Sequence, residues 1–225
     1  MSARTMDRDQ LKAYVAARVA KELSDGDFVN LGIGLPTQVP DYLPTGVDVW
    51  LQSENGIVGA TSAGHNGQLI DQAFLVNAGG RPTGIHKGAS FLDSATSFAL
   101  IRGGHVDVTV LGALQVDQEG NLANWIIPGK AVPGMGGAMD LVVGAKRVIV
   151  AMEHTQKGVP KILRRCTLPL TAVNCVDLIV TEMGVIEVTP DGLVLQEINP
   201  DFTLKEVLDA TEADLAVAED LRSMA

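Results

Sequence analysis

Phe28-Val29-Asn30-Leu31-Gly32-Ile33-Gly34-Leu35-Pro36 reads as a short strand, a tight glycine turn and the opening of a helix. Proline suits the first helical turn, where its missing N–H has no partner to lose, and glycines suit a sharp strand-to-helix reversal. Upstream, Leu11, Val15, Val19 and Leu23 fall four apart, so Asp7 to Leu23 reads as an amphipathic helix. Asp7 and Gln10 have the spacing of a capping box, and Asp25-Gly26 stops the helix. Downstream, Val47 to Leu51 reads as a second strand. Strands separated by helices are the signature of an α/β sheet.

The alternation continues outward from there. Ser94 to Ile101 reads as a helix closed by Gly103-Gly104. Val106–Leu111 and Arg147–Met152 are apolar, largely β-branched runs of the buried-strand type. Asp117 to Gly120 reads as a turn, and a short helix is expected from Ala138. Asp177–Glu182 is a further strand, followed by a hairpin of Val185–Val188 and Leu193–Ile198 about Pro190-Asp191-Gly192. Thr203 to Ala210 reads as a helix, and the polar, glycine-rich Thr61 to Gln72 as a loop. The expected fold is α/β: a single open sheet, mostly parallel with mixed strands toward the C-terminus, flanked by helices. With no linker or internal repeat, residues 1–225 are expected to form one domain.

Composition narrows the functions. The 225-residue, 23.7 kDa chain is 46% hydrophobic and 20% charged, the balance of a folded globular protein with a sizeable core. Its net charge of −10 and pI near 4.7 disfavour nucleic acid, whose phosphates need clustered Lys and Arg. No apolar run is long enough to span a bilayer, so no membrane partner is expected. The N-terminal segment has no apolar signal core and there is no Asn-x-Ser/Thr acceptor, so a cytoplasmic setting is expected. Cys166 and Cys175, the two cysteines, are then expected as reduced thiols.

The sharpest local feature is Leu51-Gln52-Ser53-Glu54-Asn55-Gly56-Ile57-Val58-Gly59. A strand delivers a carboxylate to its C-terminal end, where open α/β sheets bind ligands. Such a carboxylate can act as base, metal ligand or covalent nucleophile; equally, it can be a solvated loop glutamate beside an Asn55-Gly56 turn. Gly134-Met135-Gly136-Gly137 can bring a substrate close to the backbone and aim N–H groups at an oxyanion; a simple flexible turn has the same composition. Gly32-Ile33-Gly34 lacks the third glycine of a dinucleotide fingerprint. His65, His86, His105 and His154 show no zinc-helix spacing and neither cysteine is in a Cys-x-x-Cys pair, so no metal site is expected. Ser53 lacks the nucleophile elbow of serine hydrolases. Lys157, Lys161, Arg164 and Arg165 form a basic cluster that is either a solvated face or a receiver of polyphosphate.

At these residues the chain resembles the B (β) subunit of class I coenzyme A transferases of the acetoacetate/3-oxoacid type. The resemblance is carried by Val29 through Thr37, Gln52-Ser53-Glu54-Asn55-Gly56, Val76 through Gly80, Ser97 through His105, Asn121 through Trp125, Pro128-Gly129-Lys130 and Gly134 through Leu141. Lys161 to Thr171, with Glu182 through Glu187, most resembles the acetate/butyrate–acetoacetate branch. The resemblance implies the CoA-transferase (sugar-phosphate isomerase-like) fold. It also implies ping-pong transfer of CoA from a short-chain acyl-CoA to a free carboxylic acid, with Glu54 as the nucleophile that carries a glutamyl-CoA thioester. Gly136 and Gly137 are then expected as oxyanion or CoA contacts, with Gly32 and Gly34 passing the thioester close to the backbone. Gln52 and Asn55 are expected to orient Glu54. Lys130, Lys157 and Arg164 are expected to meet the CoA phosphates. Coenzyme A is a substrate, with no permanently bound cofactor expected. An A (α) subunit is the implied partner, in an α2β2 assembly.

One departure stands out. The family usually continues Gly-x-Gly-Pro after the glutamate motif; this chain has Gly59-Ala60-Thr61-Ser62-Ala63-Gly64-His65. The changed Ala60–Gln72 segment leaves acyl donor and acceptor open. A 3-oxoadipate or succinyl-CoA:3-oxoacid transferase would need an extra cation, for which Arg81 or Lys87 is available. An acyl-CoA hydrolase would let water resolve the intermediate, and a non-catalytic sensor subunit would bind without turnover.

Overall fold

A computed structural model describes residues 3–61, 75–130 and 135–224. Of the sequence readings, the loop from residue 62 to Gln72, with His65, and Gly134 lie outside the described residues.

In chain order the helices are α1 (Arg8–Ala20), α2 (Ser94–Arg102), α3 (Ala138–Gly144) and α4 (Leu204–Asp209). The strands are β1 (Phe28–Leu31), β2 (Trp50–Ser53), β3 (Ile57–Thr61), β4 (Gly84–Phe91), β5 (Val108–Leu111), β6 (Gln115–Asp117) and β7 (Leu122–Ala123). They continue as β8 (Arg147–Ala151), β9 (Thr155–Gln156), β10 (Val159–Pro160), β11 (Ile162–Leu163), β12 (Leu178–Val180), β13 (Gly184–Thr189), β14 (Gly192–Ile198) and β15 (Leu215–Ser223).

Ten strands form one sheet in the order β15-β14-β13-β12-β8-β5-β1-β2-β3-β4. Its centre, β12-β8-β5-β1-β2, is parallel throughout. Antiparallel strands flank it, β3 and β4 on one side and β13 on the other. The expected mixed α/β sheet is therefore present. Alternation along the central strands divides the core: Val148, Val150 and Ile179 point to one face, Ile149, Ala151, Leu178 and Val180 to the other. Ile101 of α2, Leu141 of α3 and Val207 of α4 cover the first face; Val15 and Val19 of α1 cover the second. This is the layered packing that a sheet buried on both sides requires.

The capping box forms as spaced: Asp7 accepts from the Asp9 and Gln10 N–H groups and Gln10 Oε1 accepts from the Asp7 N–H. Several boundaries differ from the sequence reading. Helix α1 ends at Ala20, short of Leu23, and the second strand forms at Trp50–Ser53, beyond Val47–Leu51. Residues Leu35–Tyr42 wind as a 3-10 helix with Pro40 inside the segment, where in an α-helix the proline ring would clash with the carbonyl four residues back. The β3–β4 pair and edge strand β15 have no counterpart in the sequence reading. Strands β4 and β15 carry many exposed positions, and β4 contains two glycines, so neither shows a buried apolar run. Among the described residues, no helix is long and apolar enough to cross a membrane.

Candidate active site

The chain leaves β1 toward β2 on one side, while β5 lands on the other side of β1. Strand order therefore reverses at β1, and crevices at the carboxyl ends of parallel strands open at such reversals. Gly32 follows β1 there, and Glu54 follows β2.

Glu54 opens a turn rather than a strand-to-helix loop. The Gly56 N–H donates to the Ser53 carbonyl at 2.9 Å, and β3 runs back antiparallel to β2. Gly56 has φ +111°, and a methyl group there would overlap the Leu92 carbonyl oxygen, so only glycine fits this turn. Around the turn, the Val76–Gly80 segment is fastened at two points. The Ala78 N–H donates to Ser53 Oγ at 2.8 Å, and Asn55 Nδ2 donates to the Val76 carbonyl at 2.8 Å. Glu54 itself is half-buried.

The structure brings Gly136 and Gly137 to this carboxylate, although they lie far from it in sequence. A methyl placed on Gly136 would lie 3.9 Å from Glu54 Oε1; one on Gly137 would lie 3.7 Å from Glu54 Cγ and 3.3 Å from the Phe98 ring. Gly136 has φ +57°, and Gly137 is the N-cap of α3, which begins at Ala138 as expected. The other two glycines differ from each other. Gly32 is packed on β5, donating to the Val110 carbonyl at 2.8 Å, with 3.0 Å from its Cβ position to Leu111 Cδ2. Gly34 has φ +97° and open space about it among the described residues.

Gln52 and Asn55, expected to orient Glu54, make their side-chain bonds elsewhere. Gln52, 3% exposed, turns inward and donates to Ser97 Oγ at 2.9 Å, while Asn55 holds Val76. Neither bond reaches the Glu54 carboxylate; both fix the backbone on either side of it. Among the basic candidates, Lys130 and Lys157 are exposed, Lys157 on the hairpin that follows β8. Arg164 pairs with Asp214 at 2.9 Å and lines a cavity of about 710 Å³ with Arg165, Cys166 and Asn174. Glu54 is not among that cavity's walls. Arg81 and Lys87 are exposed. Among the described residues, no three or more His, Cys, Asp or Glu side chains are grouped to hold a metal ion.

Two features carried no role in the sequence reading. Asn30 and Ser97 are almost fully buried and bonded to Gln52; the one available signal was a polar residue inside the apolar strand Val29-Asn30-Leu31. His154, fully buried after β8, is held between Thr181 and Thr211 hydroxyls, each at 2.9 Å. Burial, with the Lys161 charge beside it, drives its pKa down to about 4. Burial in turn lowers Lys161 to about 8, against the pull of Glu153 and Glu182.

The chain matches the family profile described as coenzyme A transferase over residues 12–210. It is 58% identical over 214 residues to the β subunit of the acetate CoA-transferase of Haemophilus influenzae, covering 95% of each chain. It is 45% identical over 208 residues to the B-type subunit of the succinyl-CoA:3-ketoacid coenzyme A transferase of Helicobacter pylori, covering 92% of this chain and 99% of that one. Its fold is similar to the acyl-CoA transferase YdiF of Escherichia coli O157:H7, solved as a thioester complex with CoA, with a TM-score of 0.74 at 24% identity. That alignment covers 98% of this chain and 44% of YdiF.

Proposed function

The chain belongs to the coenzyme A transferase family, and on that premise we propose that it transfers CoA from a short-chain acyl-CoA to a free carboxylic acid through Glu54. Acetate, butyrate and acetoacetate are the acids assigned. The observation that carries the reading is the approach of the Gly136–Gly137 turn to the Glu54 side chain at the strand-order reversal.

The Glu54 carboxylate attacks the thioester carbonyl and expels CoA thiolate, leaving an acyl-glutamyl anhydride. The thiolate attacks the glutamyl carbonyl and releases the first acid, leaving glutamyl-CoA. The acceptor carboxylate then attacks glutamyl-CoA and expels the thiolate. The thiolate attacks the new acyl carbonyl, forming product and returning Glu54 as a carboxylate. No proton is gained or lost overall. Each attack places negative charge on a carbonyl oxygen, and the Gly136 and Gly137 N–H groups are assigned to receive it. Losing one such donor typically costs about 3–4 kcal/mol. A carboxylate is a weak nucleophile, so positioning has to supply much of the rate; a held near-attack geometry contributes about 7–11 kcal/mol.

Gly34, with open space beside it, is assigned to the thioester's approach; Gly32 supports that turn from β5. The exposed Lys130 and Lys157 are assigned to the CoA phosphates. Coenzyme A enters as substrate. The relatives' designation as β or B subunits supports an A-type partner, and we assign an α2β2 assembly. We place the complex in the cytoplasm, in keeping with Cys166 and Cys175 standing as free thiols. A succinyl-CoA:3-oxoacid reading draws support from the Helicobacter pylori relative, with Arg81 or Lys87 as the added cation. A panel of monocarboxylate and dicarboxylate acceptors separates the two.

The test is chemical. The chain, co-expressed with its partner subunit, is incubated with an acyl-CoA donor, reduced with borohydride and mapped by peptide mass. Reduction at Glu54 is expected. Modification at another residue, or none during active turnover, overturns the assignment.

A further inference from the structure

Beneath Glu54 runs a chain of buried polar side chains that the transfer steps do not use. Asn30 on β1 is 1% exposed, Gln52 on β2 3% and Ser97 on α2 1%. Asn30 Nδ2 donates to Gln52 Oε1 at 2.6 Å and to the Gln52 carbonyl at 3.2 Å. Gln52 Nε2 donates to Ser97 Oγ at 2.9 Å. Asn30 Oδ1 is buried without a partner among the described residues. Buried amides stabilise a fold poorly, and an unpaired amide oxygen destabilises it; what such chains supply is a single geometry.

The geometry they supply converges on α2. The Leu92 N–H, just before that helix, donates to the Gly56 carbonyl at 2.8 Å, tying the helix entry to the turn after Glu54. Ser97, on the first turns of α2, holds Gln52, two residues before Glu54. Phe98, the next residue, sets its ring 3.3 Å from the Cβ position of Gly137. One short helix therefore grips the nucleophile's strand, its turn and the facing glycines.

We propose that Asn30, Gln52 and Ser97 form a positioning relay that registers the Glu54 strand against α2 and, through Phe98, against the Gly136–Gly137 turn. The relay rests on the reading of Glu54 as nucleophile. It touches neither substrate nor the reacting atoms; it sets the angle at which the carboxylate meets the thioester carbonyl and keeps the glycine donors on the far side of that carbonyl.

Ser97→Ala, Gln52→Met, the double variant and Ser97→Thr are compared with wild type as assembled complexes. The readouts are kcat, KM for acyl-CoA, the single-turnover rate of thioester formation at residue 54, and melting temperature. Ser97→Ala and Gln52→Met should each lower kcat and the thioester rate about 10- to 100-fold with KM held within about 2-fold, as a misaligned nucleophile requires. The double variant should lose no more than the poorer single one, because the two bonds act as a unit. Ser97→Thr, which keeps the hydroxyl, should return to within about 3-fold of wild type. Thioester formation at wild-type rate in Ser97→Ala, additive losses in the double variant, or effects confined to melting temperature overturn the relay. If Gln52→Met does not assemble, the Ser97→Ala and Ser97→Thr pair decides. A wild-type complex that forms no adduct at Glu54 overturns function and relay together; an adduct in wild type with no slowing in Ser97→Ala overturns the relay alone.

Discussion

Arg18 on α1 and Glu197 on β14 form a buried two-pronged ion pair, Nε to Oε2 at 2.7 Å and Nη2 to Oε1 at 3.0 Å. Arg18 also reaches Glu22 at 2.8 Å, and Glu22 reaches Arg147 on β8 at 2.6 Å. The network fastens α1 to two strands of the sheet. Burial alone would raise the Glu22 pKa, but Arg147 and Arg18 outweigh it and hold the carboxyl below its usual range. Removing one partner strands a buried charge, so Glu197→Ala should destabilise the protein by about 3–5 kcal/mol. Replacing both, Arg18→Met with Glu197→Leu, should cost much less. Urea unfolding of the three proteins measures this, and an equal loss in single and double variants would show that packing rather than stranded charge is responsible.

His154 makes stability depend on pH. Its folded pKa, about 4, lies below its ordinary 6.5, so the unfolded chain binds the proton more readily. The sign follows: stability is full above pH 6.5 and falls as the pH drops toward 4, by about 3 kcal/mol at the limit. Unfolding midpoints taken from pH 7 down to pH 4 should slope downward in wild type and less steeply in His154→Gln. Parallel slopes would remove His154 as the cause.

Gly56→Ala should prevent the site from forming. The residue has φ +111°, and its methyl would overlap the Leu92 carbonyl oxygen, which belongs to backbone and cannot swing away. Backbone strain of this kind costs about 1–3 kcal/mol before the overlap is counted. Loss of thioester formation together with a lowered melting temperature is the expected result; an unchanged melting temperature would contradict the geometry.

Gly136→Ala separates activity from folding. Among the described residues its methyl meets open space except for Glu54 Oε1 at 3.9 Å, and φ +57° costs an alanine about 1–2 kcal/mol. On the proposed mechanism the variant should assemble, yet lose at least about 10-fold in kcat, because the methyl occupies space beside Glu54 Oε1. Turnover equal to wild type would place the carbonyl oxygen elsewhere.

Cys166 and Cys175 should be unreactive while the protein is folded. Burial, with Asp117 beside Cys166 and Asp177 beside Cys175, pushes both thiols up to about 12. At pH 8 the thiolate fraction is then about one in ten thousand. Alkylation should be slow in the native complex and fast in denaturant; rapid native labelling would rule out the shielding.

The apolar runs at Val108–Leu111 and Arg147–Ala151, the Asp7–Gln10 capping box and the Gly192 hairpin were all legible because their signals are local: side-chain periodicity, a three-residue spacing, a turn residue. The family was legible for a different reason, since the Gln52-Ser53-Glu54-Asn55-Gly56 motif matches a family pattern within a few consecutive residues. Strands β4 and β15 were not, because edge and flanking strands with many exposed positions carry no buried-run signal.

The sequence by itself therefore determined an acidic α/β chain of the coenzyme A transferase family, with a glutamate at a strand's end. Only the tertiary structure decided what that glutamate faces. Glu54 and Gly136 meet because β2 and the turn before α3 reach the same sheet edge, and Gln52 and Ser97 bond because the fold brings the start of α2 to the inward-facing side chain of Gln52. Such contacts depend on how strands are ordered across the sheet, and local spacing along a chain does not encode strand order.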